Sequence, residues 1–512
     1  VRKFYTAQDV SFCASRGESV IVIERHDVVT SIAKEEADKK GIRFVYRDEA
    51  AQPATTPAFT AAAASAPAFG GLLGGAAQSA TSAMGAAQPA QPMYRVPAQT
   101  ASYSVQSPAA PVRTAHSGVV TAPPYKGLIP EAEVDRWREE FPILKNVVHL
   151  GNCSQSAQSK RVLGGLNRYL ENWGGVGMDW DSWCEEVDAA KAEFAKIINA
   201  DPGEIAVAAS VSDLVSSIAN SLDYTGKRKK VVVTDAEFPT VDHIWLANQR
   251  HGALVEFVPV GENHQIDISE YDRHIDENTL LTSITQVYYL NGFKQDIAAI
   301  TEKAHAKGSL ILVDSYQSLG TDPVDVKKMK IDILVSGCLK YLFGVPGIAF
   351  MYVNKELVQQ LKPSVTGWFG QTNPFLFQTR YNDWSSTASR FDTGTPPVMT
   401  AYAVRAGMEI INEVGPARIK DRIDMLSAHA LQGCLDRGLE TISPFDVSIK
   451  GGTTAIVCGH KVDSHTMEKL LREKNVIGSG RGDVIRIAPH FYTKPEEIDY
   501  ALDRIKEILD GR

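Results

Sequence analysis

The sequence predicts an α/β protein: a mostly parallel sheet with helices on both faces, followed by a smaller α+β domain. Short runs of unbroken apolar character recur at 205–208, 231–234, 255–260, 281–284, 310–313, 331–335 and 348–352. Strands buried on both faces need no polar alternation, and parallel neighbours need a long, usually helical, crossover between them. The stretches between these runs have the length and pattern of such helices. After about residue 385 the rhythm changes to a long helix over 397–414, further helices, and strands near 455–458 and 484–487. Segregated helices and strands of that kind indicate a separate α+β unit.

Taken in order, residues 1–49 read as a small β-α-β module. A strand over 19–23 precedes a helix over 31–40, Gly41 ends that helix in the left-handed conformation, and a strand follows over 42–46. From about 50 to 127 the composition turns to Ala, Pro, Ser, Gln, Thr and Gly. So little apolar bulk cannot offset the entropy of ordering, so a disordered tether is expected. The isolated bulky residues Phe69, Leu72, Leu73, Met93 and Tyr94 within it are candidate docking spots for a partner or a protein shell. The main body starts near Leu128 with an acidic, amphipathic helix opening over 130–141. The large domain is expected over 128–385 and the small one over 386–512.

Composition narrows the function classes. The chain is 44% hydrophobic and 22% charged with a net charge of −8, as in globular proteins. No run of about eighteen apolar residues is present, so no membrane helix is expected. The first residues lack the apolar centre of a secretory signal. The acidic balance, with Lys227-Arg228-Lys229-Lys230 as its one basic run, argues against a nucleic-acid surface. Six scattered cysteines with no Cys-x-x-Cys pair suggest reduced thiols in a cytoplasm and no zinc site.

Lys340, in Ser336-Gly337-Cys338-Leu339-Lys340-Tyr341, follows one apolar run and leads into another. A primary amine at a strand end, in a tight pocket, can bind an aldehyde cofactor covalently. Upstream, the run 310–313 ends in Asp314-Ser315-Tyr316-Gln317. An acid at the carboxyl end of such a strand points into the ligand crevice. The spacing from Asp314 to Lys340 leaves room for a helix and one further strand, which brings both to one sheet edge. A carboxylate against a pyridine nitrogen keeps that ring protonated and able to accept electrons, while Gln317 is placed to reach a phenolic oxygen. Ala209-Ser210-Val211-Ser212-Asp213 opens a helix expected over 214–222, where free amides suit a phosphate.

In this order the elements over roughly 130–510 resemble the class V aminotransferase group of pyridoxal-phosphate enzymes, of fold type I. Leu150-Gly151-Asn152-Cys153-Ser154, Glu237-Phe238-Pro239-Thr240, Gly367-Trp368-Phe369-Gly370 and Phe391-Asp392-Thr393-Gly394-Thr395-Pro396-Pro397 are similar to motifs of the group, and several lean to its kynureninase branch. The resemblance implies pyridoxal 5'-phosphate as cofactor, held by Lys340, which then moves the Cα proton. It pairs Asp314 with the ring nitrogen and Gln317 with the phenolic oxygen, stacks Phe238 on the ring, and gives the phosphate to the Val211 amide and Ser212. Thr395 reaches that phosphate from a neighbouring subunit, which implies a homodimer. Arg486, in Val484-Ile485-Arg486-Ile487, grips the substrate carboxylate, with Asn152 beside the substrate.

Departures from the group bear on the reaction. Residues 471–483 contain no cysteine, whereas cysteine desulfurases place their nucleophile ahead of the carboxylate-binding arginine. Leu339 stands where a polar phosphate contact is common, and the polar groups for an aminobenzoyl substrate cannot be placed. A transaminase or lyase acting on an α-amino acid or similar amine is the leading expectation. The alternatives are kynureninase-like or desulfurase-like C–C or C–S cleavage and, outside enzymes, an inactive scaffold. Residues 1–45 faintly resemble N-terminal segments of ethanolamine-utilisation microcompartment proteins, which implies an address inside a protein compartment.

Overall fold

The computed structural model describes residues 119–511 except 460 and, earlier in the chain, residues 4–5, 9–10, 13–14, 16–25, 27–29 and 31–47. The N-terminal segment carries β1 (Phe4–Tyr5), β2 (Val20–Ile23), β3 (Val28–Val29), the helix Ser31–Lys40 and β4 (Arg43–Tyr46). β2 and β4 pair in parallel, from Val20 opposite Arg43 to Ile23 opposite Tyr46. Gly41, at φ +67°, takes the left-handed turn that ends the helix and returns the chain to β4. Ile21, Ile23, Val29, Ala33, Ala37 and Ile42 close a small core of their own.

The expected tether lies outside the described residues as far as 118, together with its bulky spots. From Thr121 onward the chain is held. The Thr121 amide donates to the Phe445 carbonyl at 3.2 Å and its carbonyl accepts from Val447 at 2.9 Å. The amides of Lys126 and Gly127 both donate to the Asp421 carboxylate, at 2.8 and 2.6 Å.

After β5 (Val148–His149) come the strands of the main sheet: β6 (Ile205–Ala208), β7 (Lys230–Thr234), β8 (Leu254–Val258), β9 (Thr279–Thr285), β10 (Leu310–Asp314), β11 (Ile333–Gly337) and β12 (Ala349–Val353). Their order is β6-β12-β11-β10-β9-β7-β8. β12 runs antiparallel to both neighbours, and every other pairing is parallel. Each of the seven apolar runs is therefore a strand of this one sheet. Along β10, Ile311 and Val313 face one apolar layer while Leu312 faces the other, which is why the run needs no polar alternation.

The connection from β10 to β11 differs from the expected one. Residues 315–332 hold turns and bends and no helix. Ser318 and Leu319 both donate to the Ser315 carbonyl, folding the chain back at once. Val326 then donates to the Ile198 carbonyl at 3.0 Å, so the segment is laid along a neighbouring helix end.

The C-terminal part adds β13 (Thr454–Val457), β14 (Val476–Ile477), β15 (Ser479–Arg481) and β16 (Val484–Ile487). β13, β16 and β15 form an antiparallel sheet with β16 in the middle. The helices Pro416–Asp436, Ser464–Glu473 and Pro495–Leu509 supply its core partners, among them Leu426, Met467, Leu471, Ile498 and Leu502. The long helix Val398–Val414 packs instead on Lys160–Val176 and Trp180–Ile198, with Gly165 making room for the Tyr402 carbonyl. β5 pairs in parallel with β14, and Leu150 bridges Ile477 and Ala488 by backbone hydrogen bonds of 2.8 and 2.7 Å. The C-terminal unit thus grips the segment around residue 150. Among the described residues no helix is long and apolar enough to cross a membrane.

Candidate active site

The carboxyl ends of the parallel strands meet along one edge of the main sheet, where a crevice is expected in an open α/β fold. A cavity of about 400 Å³ opens there, lined by Val211, Ser212, Phe238, Asp314, Gln317, Lys340 and Arg486 among others. That volume is in the range of pockets that hold small molecules. Seven of the nine residues expected at the site are therefore lining residues.

Asp314 is the last residue of β10, and Lys340 follows the end of β11, the adjacent strand. The Lys340 amine lies 4.2 Å from the centroid of the Tyr316 ring and 5.7 Å from that of Phe238. Among the described residues it makes no hydrogen bond or ion pair. The buried lysines Lys191 and Lys450 are committed: Lys191 to Asp392 at 2.6 Å, and Lys450 to Ser427 and to the Gly451 carbonyl. Lys340 alone of these three faces a cavity.

Burial pushes the Lys340 amine down to about 8, against the pull of Asp314, while Arg486 and Arg481 push it the same way as burial. Burial likewise pushes the Asp314 carboxyl up to about 6, opposed by the Tyr316 amide at 2.8 Å and by Lys340. Between those values both groups are charged, and above about 8 the amine is neutral and nucleophilic. Apoprotein mixed with pyridoxal 5'-phosphate is therefore expected to capture it covalently at a rate that rises with pH and levels off above about 8. Stopped-flow absorbance measures this. A rate still climbing about tenfold between pH of about 8 and 9, as for a free lysine amine near 10.4, contradicts the burial described here.

The helix after β6 begins earlier than the sequence suggested, at Val211, because Ser210 is its N-cap. The Ser210 side chain accepts from the Asp213 amide at 3.1 Å, and the Leu214 amide bonds the Ser210 carbonyl. The amides of Val211 and Ser212 at the helix tip are left for an anion at the cavity wall. Phe238 caps the helix Pro239–Ala247 and stays 43% exposed at the mouth, its ring edge-on to Tyr289 at 5.3 Å.

Arg486 is on the middle strand of the C-terminal sheet and is 1% exposed. Its guanidinium donates to the Tyr289 carbonyl at 2.7 Å, to the Ser479 hydroxyl at 2.7 Å and to the Ser154 hydroxyl at 3.2 Å. All are neutral acceptors. A buried cation held by neutral acceptors alone keeps an uncompensated positive charge at the cavity wall.

Two expected residues stand elsewhere. Asn152 is fully buried beside the cavity, donating to the Ala488 carbonyl at 2.7 Å and accepting from the Tyr492 hydroxyl at 2.7 Å. Both ends of its amide are bonded to the wall, and Asn152 is not among the residues that line the cavity. Thr395 is exposed in the loop before Val398–Val414 and does not line the cavity.

Other lining residues were not singled out. The Tyr316 ring lies across Gly337, where a β-carbon would collide with it. Glu237 is 3% exposed; its Oε1 accepts from the Phe238 amide at 2.9 Å and its Oε2 has no partner. Burial first, then the Asp314 charge, raises that carboxyl well above its ordinary range. Gln317 donates to the Cys153 carbonyl at 3.2 Å and leaves Oε1 unpartnered. Cys153 and Arg481 also line the cavity. The motif strings containing Glu237 and Tyr316 were visible in the sequence, but their orientation depends on elements distant along the chain.

Two orphaned buried polar atoms, a free buried amine, an acid and a helix tip in one cavity fit a flat heteroaromatic aldehyde bearing a phosphate. Among the described residues no group of His, Cys, Asp or Glu could hold a metal ion. Fold and site together define a fold type I pyridoxal-phosphate enzyme. The profile of the class V aminotransferase family matches residues 150–495, and the chain belongs to that family. An uncharacterized aminotransferase, YcbU, of Bacillus subtilis (strain 168) is 39% identical over 373 residues, covering 72% of this chain and 97% of its own. The kynureninase of Pseudomonas fluorescens is 26% identical over 393 residues, covering 73% and 92%. Among solved structures, an apo cysteine desulfurase from Thermococcus onnurineus NA1 superposes with a TM-score of 0.67 at 20% identity, covering 76% of this chain and all of that one. The N-terminal module lies ahead of the family match.

Proposed function

We propose that the cavity binds an α-amino acid, with Arg486 receiving its carboxylate and Lys340 moving the proton on and off Cα. The observation behind this reading is the buried Arg486 guanidinium, capped by neutral acceptors only, in one cavity with Lys340 and Asp314. Bound there, pyridoxal 5'-phosphate supplies the electron sink that makes a Cα proton removable. The chain's own residues do the rest. The Val211 and Ser212 amides receive the phosphate, Asp314 meets the ring nitrogen, and Gln317 lies on the side of the phenolic oxygen. Phe238 and Tyr316 flank the amine.

Transfer of the amino group is the favoured outcome, because the relative with 39% identity carries an aminotransferase name. Incubation with amino acids and keto-acid acceptors tests it: a new amino acid formed from the acceptor supports transfer, whereas alanine plus a released fragment supports a lyase. Arg486→Leu is expected to raise KM for the amino acid strongly, by roughly 2–5 kcal/mol of lost binding, as when one partner of a buried charge pair is truncated. A KM within twofold of wild type would remove the carboxylate assignment.

The active form is proposed to be a homodimer in which Thr395 reaches the phosphate of the other subunit; its exposure outside its own cavity is compatible with that. Residues 1–118 are proposed to act as an address for a partner or compartment. A chain beginning at Val119 is expected to keep full turnover. Loss of turnover with dimerisation intact would mean that the N-terminal part contributes to catalysis.

A further inference from the structure

We propose that Arg481 is a specificity-determining residue that reads a second anionic group on the substrate, so the substrate class is amino acids with an anionic side chain. This deepens the reading of Arg486 as the α-carboxylate receptor and rests on it.

The placement follows from the ladder. Arg486 stands directly opposite Ser479 across the β15–β16 pair, and Arg481 stands opposite Val484. Residues two apart on a strand share a face, so Ser479 and Arg481 are on the same side of the sheet as Arg486. Arg481 is thus the diagonal neighbour of Arg486, a separation of about 7–8 Å between backbones. The two-residue turn Gly482-Asp483, with Gly482 at φ +52°, fixes this register.

Arg481 is also the threshold between two spaces. It lines the 400 Å³ cavity that holds Lys340 and a second, larger one of about 720 Å³. Ser154 lines both as well. Among the described residues the Arg481 side chain has no ion pair and no hydrogen bond. The one carboxylate among the described residues that lines the larger cavity, Glu468, is already engaged by Arg472 at 3.1 Å and by the Gly480 amide at 3.0 Å. The two guanidiniums, Arg486 buried and Arg481 exposed, stand on one face of the sheet, and their fields both depress Lys340. A ligand with two negative groups a few bonds apart meets both, whereas a neutral side chain leaves Arg481 unmatched.

The test uses glutarate and butyrate on the apoprotein, then L-glutamate and L-glutamine on the holoenzyme. Glutarate carries two carboxylates and no amine, so its binding is independent of the Lys340 chemistry. Glutarate is expected to raise the melting temperature at a concentration at least tenfold below that needed for butyrate, and Arg481→Gln is expected to abolish the difference. In the holoenzyme, L-glutamate is expected to perturb the cofactor's visible band at a midpoint at least tenfold below that of L-glutamine. Arg481→Gln should bring the two midpoints together while leaving the L-glutamine value within about twofold. Equal midpoints in the wild type, or a preference that survives Arg481→Gln, would overturn the inference and leave the amino-acid reading intact. A band that no amino acid perturbs overturns both.

Discussion

Lys340→Ala is expected to yield a folded protein that lacks the visible absorbance band of the cofactor-bound enzyme and turns over at most about 10⁻² to 10⁻⁴ as fast, the range for loss of a positioned proton-transfer group. The expectation follows from the contrast among buried lysines. Lys191 and Lys450 already spend their ammonium groups on Asp392, Ser427 and the Gly451 carbonyl. Lys340 is bounded by two aromatic rings and faces the cavity. Absorbance of the purified variant and circular dichroism, which reports folding, distinguish loss of chemistry from loss of structure. A variant that retained the band would place the amine elsewhere.

Asp314→Asn is the second large effect. The substitution keeps shape and removes charge. Turnover is expected to fall roughly 10²–10³-fold, as when one preorganised electrostatic partner is deleted from an active site. A second readout follows from the sign of the interaction. The Asp314 carboxylate raises the Lys340 amine against burial. Without it, the amine should lose its proton at lower pH, and cofactor capture should level off below about 8. Turnover within a few fold of wild type, or a capture profile unmoved, would separate Asp314 from the cofactor ring.

Much of this was legible in the sequence because it is local. A strand buried on both faces writes itself as a continuous apolar run, and all seven runs became strands of the main sheet. The acid ending β10 and the lysine after β11 converge because adjacent parallel strands end on the same edge. What failed was decided by contacts across the chain. The helix tip began at Val211 because Ser210, among several serines able to cap, takes the Asp213 amide. Asn152 matches a motif, yet Ala488 and Tyr492, far along the chain, occupy both ends of its amide. No spacing rule places Tyr316 across Gly337, since that needs the register of two strands and a missing β-carbon. Arg481 likewise acquires meaning only once β15 is laid against β16.

The site is most directly examined by trapping. Holoenzyme reduced with borohydride, digested and mapped by mass spectrometry should carry the cofactor on the peptide that contains Lys340 and on no other. Attachment at Lys191, Lys450 or any surface lysine, with Lys340 unmodified, would contradict the placement of the chemistry at the edge where β10 and β11 end.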